Sequence, residues 1–376
     1  MLILLVIITG ISLLSSKEKL PLKKNEKLFL QVIGFYIFVY LANIYILDSS
    51  ISEFGYTARF IILLPVFFYA RKQKLNTSMV LYGIFLGSLA CFLIAIYQVF
   101  LLEMPRANGI TNPVPFGGIS ITLGLMCISA VVFSTSNKFT IFMILGFIFG
   151  SIASILSGSR GAWLALLSCF VYFIWSNPIP LSVRHRTIYS LVFVLTILAC
   201  YQIPDVQLRV GYAIQNIDAY FNQNIVYTSA GLRLETWKAG FIVFSENPVF
   251  GIGEGNFNFT TAMTNLANRG EIAPVIPTSI AHVHNEYLSA ALHRGVFGLL
   301  SLMILFLFPL WVFRQRLLVS NGIHKTLLVS GIMLILCSMT ISLSDVFFQH
   351  HNQTLFFVTY LYLFFGLASS ERSNKE

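Results

Sequence analysis

The sequence predicts an all-α polytopic membrane protein, and three observations carry that prediction. Of 376 residues, 56% are hydrophobic and only 10% are charged, with a mean hydropathy of +0.78. That is far from the half-apolar, quarter-charged balance of a soluble domain. Apolar stretches such as Met79–Leu102 exceed the ~20 residues that a helix needs to cross a bilayer core, and they recur along most of the chain. The basic residues alternate between loops in step with those stretches, as topology signals do.

The apolar segments, in order, are Leu2–Leu14, Leu28–Leu47, Tyr56–Ala70, Met79–Leu102, Phe116–Phe133, Phe139–Leu156, Ala162–Trp175, Ile188–Ile203, Tyr287–Phe313, Thr326–Leu343 and Thr354–Ala368. They predict about 11 to 12 transmembrane helices. Leu2–Leu14 has neither a preceding basic region nor a small-residue cleavage site, so it is read as a first span and not as a removable signal. The five cysteines all fall in apolar segments. No disulfide framework or thiol metal site is expected.

The net charge of +9 does not indicate a nucleic-acid partner, because the basic residues sit in short loops between spans and form no soluble basic face. Cytoplasmic loops hold the excess of lysine and arginine. With Lys17–Lys27 on that side, strict alternation places Arg71–Lys74, Lys138, Arg184 with Arg186, Arg314–Lys325 and the C-terminal tail there too, which accounts for sixteen of the 24 basic residues. Eight remain outside: Arg59, Arg106, Arg160, Arg209, Arg233, Lys238, Arg269 and Arg294. Topology does not require them there, and the arginine fork suits phosphate oxygens.

The same alternation puts the segment after Ile203 on the outer face. At about 80 residues it is far longer than an ordinary connection and reads as a functional lid or site. The chain is thus divided into N-terminal membrane helices (1–203), a catalytic loop (204–284) and C-terminal membrane helices (285–376). Within the loop, Ser229 is a helix cap and Ala230 to about Ser245 a helix ended by Asn247 and Pro248. Leu234, Trp237, Phe241 and Phe244 form one apolar stripe, which predicts a helix lying on the membrane surface with Trp237 as its anchor. Arg233 would then stand at headgroup level.

Four local patterns share the outer face. They are Ser157-Gly158-Ser159-Arg160-Gly161-Ala162-Trp163, Gly231-Leu232-Arg233-Leu234-Glu235-Thr236-Trp237, Asn247-Pro248-Val249-Phe250-Gly251-Ile252-Gly253-Glu254-Gly255-Asn256-Phe257 and His282-Val283-His284-Asn285-Glu286-Tyr287. In this order and at these spacings they resemble the O-antigen ligase and polymerase superfamily, over roughly Gly158 to Tyr287, with an echo in Leu343-Ser344-Asp345. The resemblance implies a GT-C-like fold in a Gram-negative inner membrane, with the site facing the periplasm. It implies inverting, metal-independent transfer of an O-antigen glycan from undecaprenyl pyrophosphate to a sugar hydroxyl of lipid A-core, without a cofactor. The family's functional positions match Arg160, Arg233 and His284, and an early basic residue matches Arg59.

The chemistry is consistent with that implication. A departing pyrophosphate gains negative charge that fixed guanidinium groups can stabilise in place of a metal ion. The attacking hydroxyl must lose a proton, and a histidine such as His284 is the natural base. Arg59, His282, Asn285, Trp237 and Asp345 are placed on the substrate-binding side of the site. For His282 a structural role, bonding the loop backbone, is the weightier alternative; for Asp345, support of the site and a plain helix boundary stand level. His282, His284 and Glu286 stand at i, i+2 and i+4 with no fourth ligand, so no metal is expected. Gly251–Gly255 reads as a turn after Pro248, since no strand precedes it and no Gly-Lys-Ser follows.

The rivals are an O-antigen polymerase, for which a second long outer loop would speak, and a secondary transporter. The outer connection Glu103–Pro115 is only of ordinary length. A transporter places ionisable residues or broken helices at mid-membrane, whereas here the acids avoid the span interiors.

Overall fold

A computed structural model describes residues 9–10, 21–73, 76–110, 112–133, 136–176, 201–202, 204–320 and 324–370, with scattered positions between 182 and 194. The predicted spans Leu2–Leu14 and Ile188–Ile203 lie almost wholly outside the described residues, as does Cys200. Every other predicted span coincides with a helix, and the described residues contain no strand. Seven helical stretches among them are long and apolar enough to cross a membrane, and Arg160–Trp175 is a shorter apolar helix. The chain is an all-α polytopic membrane protein. In hydrocarbon a backbone must satisfy its own hydrogen bonds, which favours helices at each of these places.

The helices are α1 (Lys24–Ile46), α2 (Ala58–Ile62), α3 (Leu64–Lys72), α4 (Thr77–Ile96), α5 (Pro113–Val131), α6 (Asn137–Ser157), α7 (Arg160–Ser176), α8 (Pro204–Gln223), α9 (Ser229–Glu246), α10 (Asn256–Asn268), α11 (Ile276–Ser279), α12 (Glu286–Leu317), α13 (His324–Ile341) and α14 (His351–Ser370). α5 and α13 are the enclosed spans, with 78% and 72% of their apolar windows buried against 28–44% for the others. The peripheral spans therefore leave most of their apolar surface for lipid. Phe29, Phe67, Phe306, Phe357 and Phe365 belong to one core that joins α1, α3, α12 and α14.

Polar contacts mark the two ends of this bundle. At one end Arg71 Nε lies 3.0 Å from Glu26 Oε1, and Lys23 Nζ donates to the carbonyl of Ser369 at 2.7 Å. The start of α1 and the ends of α3 and α14 are thus tied together, with their basic residues on the side that charge alternation assigns them. α1 has 23 residues, so its far end is about 35 Å away. At that far end the loops carrying all four local patterns gather.

Two predicted spans are not simple rods. Tyr56–Ala70 is divided between α2 and α3, with Pro65 in the first turn of α3. The span predicted at Tyr287–Phe313 begins at Glu286 and is broken at Gly295, where φ is 62° and ψ is −155°. The loop Asn247–Gly255 docks into that break. Ile252 N and Gly253 N donate to the carbonyls of Leu292 and His293 at 3.0 Å, and Val296 N donates to Pro248 O at 2.8 Å. A Cβ on Gly295 would lie 2.2 Å from Val249 O, so only glycine permits this approach.

The loop between α7 and α12 differs from expectation in detail. α9 begins one residue earlier than predicted, and its cap is Thr228 in place of Ser229, the hydroxyl accepting from Gly231 N at 3.0 Å. Its buried positions are Gly231, Glu235, Thr236, Ala239, Gly240 and Val243, whereas Phe241 is exposed. The predicted Leu234–Phe244 stripe lies outside this packing face, with Leu234, Trp237 and Phe244 partly buried and Phe241 exposed. α9 lies against α12, and glutamate and threonine turn inward because they are bonded: Glu235 accepts from Tyr220 Oη and Ala273 N.

Candidate active site

Three segments bring the site together at the far end of the bundle. The first is the α6–α7 turn. Gly158 ends α6 in the left-handed region, and Arg106 Nε donates to Ser157 O at 2.7 Å. Arg160 then opens α7, exposed, while a Cβ on Gly161 would meet Ser344 Oγ at 2.2 Å. The absence of a side chain at Gly161 lets the base of α7 press against the segment that carries Asp345.

The second is the histidine segment before α12. Val283 is buried, and its carbonyl accepts from Trp237 Nε1 at 2.9 Å. Asn285 Oδ1 caps α12 by accepting from Leu288 N at 3.0 Å, and its Nδ2 donates to Leu343 O at 3.3 Å. Glu286 N donates to Ser342 O, and Glu286 Oε2 accepts from Phe348 N. Between these anchors His284 has a φ of 49°. A non-glycine residue held there stores about 1–3 kcal/mol of strain, tolerable because its surroundings over-determine it.

The third is the α13–α14 connection. Asp345 is 4% exposed; its Oδ1 accepts from Val346 N at 2.9 Å and faces His284 Nδ1 at 3.7 Å, while Oδ2 lies 2.8 Å from His350 Nε2. The His284 contact is electrostatic at that separation, longer than a hydrogen bond. Burial alone would raise the Asp345 carboxyl, but its interactions with His284 and His350 and the Val346 amide outweigh burial and hold it well below the usual carboxylate range. Next to His350, His351 contacts Arg59 through its Nδ1.

The two candidate clamp arginines converge here. Burial lowers the Arg233 guanidinium; the Asp345 carboxylate opposes that shift and the Arg160 charge adds to it, so the three groups share one field. Neither Arg160 nor Arg233 has an ion pair or hydrogen bond among the described residues, which leaves their forks open. His282 packs edge-on to His284, ring centroids 4.2 Å apart, and is pushed down to about 4 by burial and then by the neighbouring His284. Its Nδ1 is buried without a partner, so the expected bond from this histidine to the loop backbone is not made through that atom.

Several sequence expectations change. Trp237 spends its indole N–H on the Val283 carbonyl, and Asn285 spends its amide on Leu288 N and Leu343 O. Not all outer basic residues are free for phosphate. Arg294 is 3% exposed, sits 2.8 Å from Glu254 Oε1 and lies 4.1 Å over the Tyr40 ring. Arg269 pairs with Glu246 and Glu271, Lys238 with Glu235, and Arg106 caps α6. The side chain of Arg209 lies outside the described residues. Glu286, the first residue of α12, is buried, so acids do not wholly avoid the spans, but it stands in the loop-facing part of that broken helix; Glu254, also buried, belongs to the docked loop and pairs with Arg294.

His282, His284 and Asp345 offer ligand atoms within 4.8 Å of one another, a grouping able to hold a metal ion, with Asp345 in place of Glu286. Both Asp345 oxygens are already engaged, and the adjacent Arg160 and Arg233 charges disfavour a dication.

Against known proteins, residues 145–303 match the family described as O-Antigen ligase. An O-antigen ligase of Escherichia coli is 28% identical over 120 residues, 31% of this chain and 28% of that protein. Over these regions the chain is similar to the O-antigen ligase superfamily. An uncharacterised protein of Haemophilus influenzae is 24% identical over 357 residues, covering 93% of this chain and 88% of its own length. The matched O-antigen ligase region includes Arg160, Arg233 and His284 but ends before Asp345, His350 and His351. The last two were not singled out in the sequence. His350-His351 at the head of a span is a double histidine in an otherwise apolar helix start, and that was the available signal.

Proposed function

We propose that this membrane protein is an O-antigen ligase, moving a glycan from undecaprenyl pyrophosphate to a sugar hydroxyl of lipid A-core on the periplasmic face of a Gram-negative inner membrane. The observation that carries the proposal is the convergence of two unpartnered arginines, Arg160 and Arg233, with a histidine whose Nδ1 is turned to a buried carboxylate. The segment 204–284 is the catalytic loop, holding Arg233 and the two histidines against membrane helices 1–203 and 285–376.

The acceptor hydroxyl attacks the anomeric carbon from the side opposite the diphosphate. The new bond joins acceptor oxygen to that carbon, the bond from carbon to diphosphate oxygen breaks with its electron pair, and the hydroxyl proton passes to His284 Nε2. Arg160 and Arg233 receive the leaving charge in forked hydrogen bonds. Arg59, anchored on Gly55 O at 2.9 Å, contributes a further positive charge at the mouth. The proposed reaction has no metal, cofactor or nucleotide.

A chromosomal deletion tests it directly through the lipopolysaccharide profile. The expected result is loss of all O-antigen bands with lipid-linked polymer accumulating. Core carrying a single repeat unit would mean a polymerase, and an unchanged profile would remove the chain from this pathway.

A further inference from the structure

Asp345 has two oxygens with different duties, and a residue outside the four motifs divides them. Oδ2 lies 2.8 Å from His350 Nε2; Oδ1 takes the Val346 amide at 2.9 Å and looks toward His284 Nδ1 at 3.7 Å. A carboxylate held at one oxygen still swings about its Cβ–Cγ bond, whereas one held at both does not. His350 is itself fixed from behind. Its carbonyl accepts both Thr354 N and Thr354 Oγ1 at 3.0 Å, and Thr354 Oγ1 also donates to Phe348 O at 2.9 Å.

We infer that His350 is a positioning residue for His284. By donating its Nε2–H to Asp345 Oδ2 it fixes the carboxylate so that Oδ1 selects the Nδ1–H tautomer of His284. His284 Nε2 is then bare and directed away from Asp345, where an acceptor hydroxyl needs a base. The inference rests on the proposed role of His284 and explains how that role is enforced at a contact too long to act as a hydrogen bond by itself. Second partners of this kind fix tautomer and ring direction wherever a carboxylate backs a working imidazole. The charged and titratable groups that share this corner are His282 and His284 from the loop, Glu286 and His293 from α12, Arg233 from α9, Arg160 from α7, and the Arg59–His351 pair.

The test uses full-length protein in nanodiscs, labelled with ¹⁵N-histidine, with His284→Gln identifying the His284 signals. In the wild type the His284 Nε2 should be unprotonated and Nδ1 protonated, without any substrate present. His350→Phe keeps a ring of similar size and removes the donor; it should give a mixture of His284 tautomers, and His350→Gln should restore the single one. With lipid-linked glycan and core acceptor, His350→Phe should lower kcat on the order of tenfold to a hundredfold at unchanged donor KM, with recovery in His350→Gln. A purely structural His350 would be rescued by Phe and not by Gln. An unchanged His284 tautomer in folded His350→Phe overturns the inference. If the wild-type protein transferred no glycan, the proposed reaction would fall, while the tautomer measurement would still decide the role of His350.

Discussion

Arg233 and Arg294 both stand in the region that charge alternation assigns to the outer face, yet they occupy opposite electrostatic situations. Arg294 is buried, paired with Glu254 and stacked over Tyr40, and its carboxylate partner also accepts from the Tyr40 hydroxyl at 3.3 Å. The Arg294 charge is paired within the protein, with only its Nε left without a hydrogen-bond partner. Arg233 is half-buried beside Arg160, and neither fork is matched. The contrast separates what clamps the loop to the membrane helices from what is left for a ligand. A like-charged pair is held together only where something else repays the repulsion, and here a diphosphate would.

The sharpest way to break the comparison is Arg294→Ala. It leaves Glu254 buried and unpaired, and breaking a buried pair from one side costs about 3–5 kcal/mol. The loop that docks on the α12 break should come free. Loss of monodisperse protein on fluorescence-detected size exclusion is the expected outcome, with partial recovery when Glu254→Gln is added to Arg294→Met. Normal yield and thermal stability for Arg294→Ala would show that the pair does not clamp the loop.

At the open corner the protein should stay folded and lose chemistry. His284→Ala should lower transfer by about 10² to 10⁴ while leaving donor affinity intact, because the imidazole meets the acceptor. Activity should persist in EDTA. If chelation abolished it and a divalent ion restored it, His282, His284 and Asp345 would be a metal centre and His284 no base. Arg160→Ala and Arg233→Ala should each cost about 10² to 10³ in turnover and also weaken donor binding. Lysine at either position should recover part of the loss, since a point charge cannot reproduce the fork. Donor-lipid affinity and transfer rate, measured side by side on inserted variants, separate the two groups.

How much of this was legible follows from the range of each interaction. Hydropathy and basic-residue alternation act along the chain, so span positions and the grouping of Lys23, Glu26 and Arg71 at one end could be read from sequence. Arg160, Arg233 and His284 came from local motifs, and Asp345 from a short echo. The partnerships could not be read. Glu254 and Arg294 are 40 residues apart and meet only because the loop docks on a broken helix. Glycine at position 295 looks, in sequence, like any small residue in a span. Aromatic periodicity does not say which neighbour takes the Trp237 indole N–H; that neighbour is Val283, 46 residues on. His350 escaped for the same reason, its meaning lying in the second oxygen of Asp345.

The smallest expected effect concerns His282, which stands between the two corners in character: inside the site, yet without a charge to offer. Burial first, and then the neighbouring His284, lower it from its ordinary value of 6.5 to about 4, with Asp345 acting against the shift. A base whose folded pKa is depressed is neutral in the fold and takes up its proton first in the unfolded chain. Between pH 6.5 and about 4 the unfolded state therefore holds more protons, and stability falls as pH is lowered through that window, being complete above it. Asp345 has the opposite chemistry. Its folded pKa is depressed as a carboxylate's, so its contribution is present above the ordinary carboxylate pKa and is lost only below this window. The two are thus separable by pH. Wild type and His282→Gln should be melted in nanodiscs from pH 7 down to pH 4.5. The variant should lose less stability across that range, by an amount on the order of 2 °C because partial exposure screens the effect. A wild-type slope retained in His282→Gln would place the acid sensitivity on the other histidines, and with it the neutral ring next to His284 would cease to distinguish this corner from the closed one.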